Sequence, residues 1–172
     1  MLFRSWAVVL TVDTGSWTIT EETPFEFDTQ SGIAPALYQI DSSHYLCAYE
    51  GNNSDGWAVV LTVDTGSWTI TEETPFEFDT QDGRTPALYQ IDGSHYLCAY
   101  EGQGNSGWAV VLTVDTESWS ITKDTPFEFD TQNGRTPALY QIDSSHYLCA
   151  YEGNGSDGWA VVLSIGKPLI SP

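Results

Sequence analysis

The chain has 172 residues, the length of one ordinary domain, and its 41% hydrophobic and 13% aromatic content is enough to bury a core. Five Lys and Arg stand against 24 Asp and Glu for a formal charge of -19, which repels nucleic acid and anionic lipid, so neither is expected as a partner. No run approaches the roughly 18 apolar residues of a membrane-spanning helix, and the opening MLFRSWAVVLTVD meets an Asp too early for a signal peptide. The cytoplasm is the default expectation for localisation.

After a short leader, residues 1–5, the chain enters WAVVLTVD at Trp6. Trp6, Val8, Leu10 and Val12 alternate with Ala7, Val9 and Thr11, so this strand is apolar on both faces and is expected between two layers. Thr14, Gly15 and Ser16 make a turn into Trp17 to Glu22, where Trp17 and Ile19 alternate with Thr18 and Thr20 and one face is wet. Pro24 interrupts that strand before Phe25 to Asp28, which predicts a bent or two-part element. A polar loop over 29–35 leads to Ala36 to Ile40, and the turn Asp41 to His44 returns the chain through Tyr45 to Tyr49, a predicted hairpin. Gly51 to Gly56 then turns into WAVVL again at Trp57, and the same word recurs at Trp108 and Trp159. The period is 51 residues, giving a single repeat domain of units 6–56, 57–107 and 108–158 with a partial unit 159–172.

Within a period ALYQI is the first strand, YLCAY the second, WAVVLTV the third, and WTIT with FEF the fourth, in up-and-down order with no helical period. Three nearly continuous apolar strands followed by a wet one predict an all-β chain of four-stranded antiparallel β-propeller blades, three per chain, whose sheets stack face to face. The hairpin QID-S-x-H-Y-L-x-A-Y and the following DGW-x-V strand resemble propeller blades of the type known from environmental, metagenomic sequences. Asp64, Gly66 and Trp68 resemble the Asp-box turn of sialidase-type propellers. That likeness implies that Asp64 caps the turn, Gly66 takes a positive φ and Trp68 plugs between sheets. Here the spacing before the Trp is one residue short, and the third copy carries Glu117 in place of the Gly. In that family the box is a structural turn and carries no activity. The alternative fold is a β-trefoil, also three repeats of four strands, but the chain begins and finishes with a third strand, and a trefoil has no place for the thirteenth.

The regular placement of Cys47, Cys98 and Cys149, one per unit, predicts buried free thiols, because equivalent slots in neighbouring units lie too far apart for a disulfide. Asp41, Asp92 and Asp143 precede His44, His95 and His146 by three residues in every unit, an acid-base or metal-ligand pair on one reading. Catalysis converges unlike groups on one point, so recurrence in each copy favours a turn that satisfies its own backbone. The Asn-Ser-Asp loops ending at Asp55 and Asp157 carry oxygen ligands but lack a bidentate Glu, and the second copy has no carboxylate there. The adjacent acids Glu21 and Glu22 point to opposite faces of one strand, which is not a glycosidase pair. No catalytic, cofactor-binding or metal-binding residue is assigned.

Between the first two units eight of 51 positions differ, seven of them in the fourth-to-first and second-to-third loops, which emerge on one face of an up-and-down blade. That face carries Arg84, Thr85, Arg135, Thr136, Asn105, Asp55 and Asp157, the candidate ligand-face residues. The expected function is a non-enzymatic scaffold or binding module for carbohydrate or protein. A glycan-processing hydrolase resembling sialidase-type propellers is one alternative, and a designed or recently amplified propeller without a ligand is another. Because propellers close with about four to eight blades, the expected assembly is a two-fold homodimer forming one six-bladed ring by strand exchange, with Trp6 to Val12 and Trp159 to Ile165 competing for one third-strand place.

Overall fold

The computed structural model describes residues 4–166, and among these the chain forms strands, turns and three single-turn 3₁₀ segments but no α-helix, so no helix is long and apolar enough to cross a membrane. The first third strand is broken into β1 (Ser5–Ala7) and β2 (Leu10–Asp13), paired with β4 (Phe25–Asp28) and β3 (Thr18–Glu21). This strand begins at Ser5, one residue before the first repeated Trp. Next come β5 (Ile33–Gln39), β6 (His44–Glu50), β7 (Gly56–Asp64), β8 (Thr69–Glu72) and β9 (Phe76–Asp79). The second copy gives β10 (Arg84–Gln90), β11 (His95–Glu101), β12 (Gly107–Val114), β13 (Ile121–Lys123) and β14 (Phe127–Asp130). Last are β15 (Arg135–Gln141), β16 (His146–Glu152) and β17 (Gly158–Ser164). The tail beyond residue 166, including the Pro168 to Ile170 segment, lies outside the described residues.

Two sheets are complete meanders, β5-β6-β7-β8 and β10-β11-β12-β13, with β9 and β14 pairing further along β7 and β12. Proline explains the split fourth strand: Pro75 and Pro126 remove a ladder N–H and force the kink between the two halves. The remaining sheet material is a three-stranded β15-β16-β17 and the third-and-fourth-strand half made by β1 to β4. The described strands therefore form two whole meanders and two partial sheets, one at each end of the chain. Registers repeat faithfully, since Trp6 lies opposite Glu26 as Trp57 lies opposite Glu77, and His146 opposite Ser164 as His95 lies opposite Thr113.

Strand alternation builds the core between sheets. On the second and third strands of the first blade, Leu46, Ala48, Ala58 and Val60 point forward into the cluster shared with the next blade, while Cys47, Tyr49, Val59 and Leu61 point back toward β1 to β4. All eight side chains are buried, so both faces of β6 and β7 are covered, as the continuous apolar runs predict. Each fully buried Leu, Val or Tyr-sized side chain contributes about 1.5–3 kcal/mol from removed apolar surface. This face-to-face stacking of separate meanders sets the β-trefoil aside. Cys47, Cys98 and Cys149 are buried free thiols, and burial pushes Cys47 and Cys149 up to about 12, out of the reactive range.

The turn between third and fourth strands differs from expectation at two residues. Asp64 does cap it, accepting from the Gly66 amide at 2.8 Å and the Ser67 hydroxyl at 2.9 Å. The left-handed residue, however, is the Trp: φ is 58° at Trp17, 56° at Trp68 and 57° at Trp119, and Gly66 needs no positive φ. Glu117 fills the Gly slot without strain for that reason. Nor do all these tryptophans plug between sheets; Trp119 packs into the interblade cluster, whereas Trp17 and Trp68 stand exposed.

Candidate functional site

The two variable loops of each unit lie together at one end of the blades and are tied across the blade boundary. The Gly83 amide donates to the Ser54 carbonyl at 2.7 Å, and one copy later Gly134 donates to Asn105 at 2.8 Å. A register shift between Arg84 and Ala87, and again between Arg135 and Ala138, bulges the start of each first strand. The bulge places Thr85 and Thr136 at φ 45° and Ala34 at 49°, each just before a proline. A β-branched residue in that region stores strain, and the Thr85 hydroxyl is also buried without a partner.

The bulge swings the arginines into a ladder that alternates with the last residue of each second strand. Arg84 lies 4.0 Å from Glu50 of its own complete neighbour, 3.5 Å from Glu101 and 2.7 Å from Asp82. Arg135 lies 3.9 Å from Glu101 and 3.8 Å from Glu152. Glu101 is buried and anchors the middle, and Asn105 completes it: with its side-chain amide turned to suit these neighbours, its nitrogen donates to Glu101 at 3.0 Å and its oxygen accepts from Arg135 at 3.0 Å. The structure thus brings Arg84, Arg135, Asn105 and the bulge threonines together. The other two candidates lie on the same loops but outside the ladder: Asp55 is half-buried beside Glu77, whose carboxyl is held above its usual range by burial and by Asp55, and Asp157 is exposed.

Both arginines are already neutralised by at least two carboxylates, so the ladder's first effect is to lock blade to blade, and a ligand reaching this end meets a rim of paired charge with hydroxyl and amide groups around it. Sequence reasoning missed Glu101, although a Glu closes the AYEG word in every unit. It also missed a second interblade tie. Tyr100 donates to Asp79 at 2.9 Å and Tyr151 to Asp130 at 2.9 Å, with Phe78 and Phe129 edge-on to the same rings at 5.2 Å. The signal for it is a fixed 21-residue offset repeated by the period.

At the opposite end, the Asp-His pairs satisfy their own turns. Asp41 accepts from the Ser43 amide at 2.8 Å, the His44 amide at 2.9 Å and His44 Nδ1 at 2.8 Å, and Asp92 and Asp143 do the same for their hairpins. Asp143 is thereby lowered to about 2, first by the Ser145 amide and then by His146. Among the described residues no group of three or more His, Cys, Asp or Glu is arranged to hold a metal ion.

No known protein family matches the sequence, and no curated protein does. Solved structures do match in fold. The K499G mutant of NanB sialidase from Streptococcus pneumoniae superposes with a TM-score of 0.68 at 13% identity, over 94% of this chain and 28% of that one. NanB from the same organism bound to 2-[(3-chlorobenzyl)ammonio]ethanesulfonate gives 0.62 at 16% identity, over 95% and 28%. The chain spans little more than a quarter of those proteins, and at such identity the likeness establishes architecture alone: an all-β fold of the sialidase propeller type.

Proposed function

We propose that the chain is half of a six-bladed propeller, completed by a second copy, and that the ring serves as a non-enzymatic scaffold whose bulged loop face binds carbohydrate or protein. The observation that carries the non-enzymatic part is that the same side-chain pairings return from unit to unit. The Asp-His hairpin stands in all three units, the Tyr-Asp tie and the Arg-Glu ion pairs each recur in two, and among the described residues none stands beside a differing nucleophile or base. The binding part is supported by the strained Thr85 and Thr136 and by the concentration of repeat-to-repeat differences on the same face. A glycan array run beside a panel of chromogenic glycosides tests it. Binding without turnover, weakened by Arg84→Gln with Arg135→Gln, is the expected result. Turnover abolished by changing a single carboxylate overturns it in favour of a sialidase-like hydrolase.

A further inference from the structure

The contact between the two complete blades is a template for what the uncovered faces require. There His44 of the first blade lies flat under Trp119 of the second, ring centroids 3.7 Å apart and 18° from parallel. Ile121 of the second blade shares one buried cluster with Phe76, Ala58 and Val60 of the first, and the same cluster takes in Ile40 and Leu46 together with Leu88 and Tyr96. At the two ends of the arc, the repeat equivalents of several of these residues are uncovered. The side chain of His44 is 17% exposed, but His95 and His146 are 42% and 45% exposed. Trp17 and Trp68, their counterparts by repeat position, are 76% and 42% exposed while held in the same left-handed conformation as Trp119. An exposed Trp in a strained backbone gains nothing within one chain.

The grooves and knobs match in the same way. A groove of about 480 Å³ beside β14 is lined by Ala109, Val111 and Phe127, the repeat equivalents of residues that share the Ile121 cluster, and Phe127 is 63% exposed. Its knob by repeat position is Ile19, 64% exposed on β3. A second groove of about 240 Å³ is bounded by Leu37, Tyr45 and Trp68, and its knobs are Ile142 and Leu148, both uncovered on the outer face of β15 and β16. Each groove lies at one end of the arc and its knob at the other, so a single chain with a stacked arc cannot fill its own.

We infer that a second copy of this chain fills both grooves head to tail. Ile19 of one copy enters the groove beside Phe127 of the other, where Trp17 stacks on His95; Ile142 and Leu148 of the other enter the groove of the first, where its Trp68 stacks on His146. This deepens the two-chain ring by naming the surfaces that close it, and it holds whichever of β17 and β1–β2 takes the shared third-strand place, since none of these residues lies on either strand. The axial Tyr38, Tyr89 and Tyr140, spaced 5.9 and 6.3 Å, then continue from Tyr140 to Tyr38 of the next copy.

The test is complementation by light scattering. One variant carries Trp17→Ser with Ile19→Asp, the other Phe127→Asp with Ile142→Asp; all four positions are exposed in the single chain, and far-ultraviolet circular dichroism checks that each variant folds. Wild type is expected at the mass of two 19.0 kDa chains, each variant alone at one chain, and an equimolar mixture back at two, because a mixed pair keeps one intact contact. The conservative Trp17→Phe with Ile19→Val is expected to stay paired. Wild type at single-chain mass overturns the ring itself. Wild type at two chains with either variant still paired alone overturns only the head-to-tail assignment.

Discussion

At the scale of single residues, aspartate is the organising side chain of this protein. Asp13, Asp41, Asp64, Asp115 and Asp143 each accept a backbone N–H from the residue two positions on, and that bond is the first cause holding each carboxyl below its usual range. A group whose folded pKa is depressed stabilises the fold above its unfolded pKa and loses that contribution as pH falls through the folded one. The contribution of these aspartates is therefore expected to be flat above about pH 5 and to fall between the ordinary Asp value of 3.8 and the value of about 2 reached by Asp143. Thermal melts from pH 6 to pH 2 read this directly. Asp143→Asn, which keeps an acceptor oxygen but cannot titrate, is expected to flatten part of the acid limb. An unchanged limb would mean that the hairpin carboxylates do not govern acid unfolding.

At the scale of elements, what was legible follows from period. Both-face burial of β6 and β7, the wet fourth strand, its split at proline and the hairpin at Asp41 were readable because alternation and turn chemistry are local. The role of Trp119 was not, because a Trp at positive φ runs against propensity and is explained only by the His44 ring it stacks on across a blade boundary. The Arg-Glu ladder was half legible: Arg84 and Arg135 stood out as rare cations, but a buried Glu101 between them depends on which strand ends face each other. Gly56 and Gly107 show the same limit. A Cβ at Gly107 would run into the Phe129 ring, whereas the equivalent Gly158 has nothing within 4 Å. Gly107→Val is therefore expected to cost about 1–3 kcal/mol by overpacking, and Gly158→Val less than about 0.5 kcal/mol, as a surface change does, in urea melts of dilute chain. Equal costs would show that the glycines are kept for backbone conformation and not for the phenylalanine above them.

For the whole molecule, charge and apolar surface pull in opposite directions. A chain of formal charge -19 repels its own copy, yet Leu10, Ile19, Leu37, Phe127, Tyr140 and Ile142 leave apolar surface exposed on its two outward faces. Those apolar contacts do not depend on charge, and repulsion between copies is screened once salt brings the Debye length to about 10 Å or less, near 0.1 M. Two-chain assembly is thus expected to strengthen with salt, the reverse of an interface held by ion pairs. Binding of a second copy also stabilises the folded state by mass action, so a tenfold rise in chain concentration adds up to about 1.4 kcal/mol per mole of chain pairs. The thermal midpoint should therefore rise with protein concentration at 0.15 M salt, and the concentration at which the rise begins should fall when salt is increased. Calorimetry over a hundredfold range of concentration at low and moderate salt measures both trends. A midpoint independent of concentration would leave the exposed tryptophans at Trp17 and Trp68 without a partner in solution, and a midpoint that drops as salt rises would move the association from the apolar grooves to the Arg-Glu face.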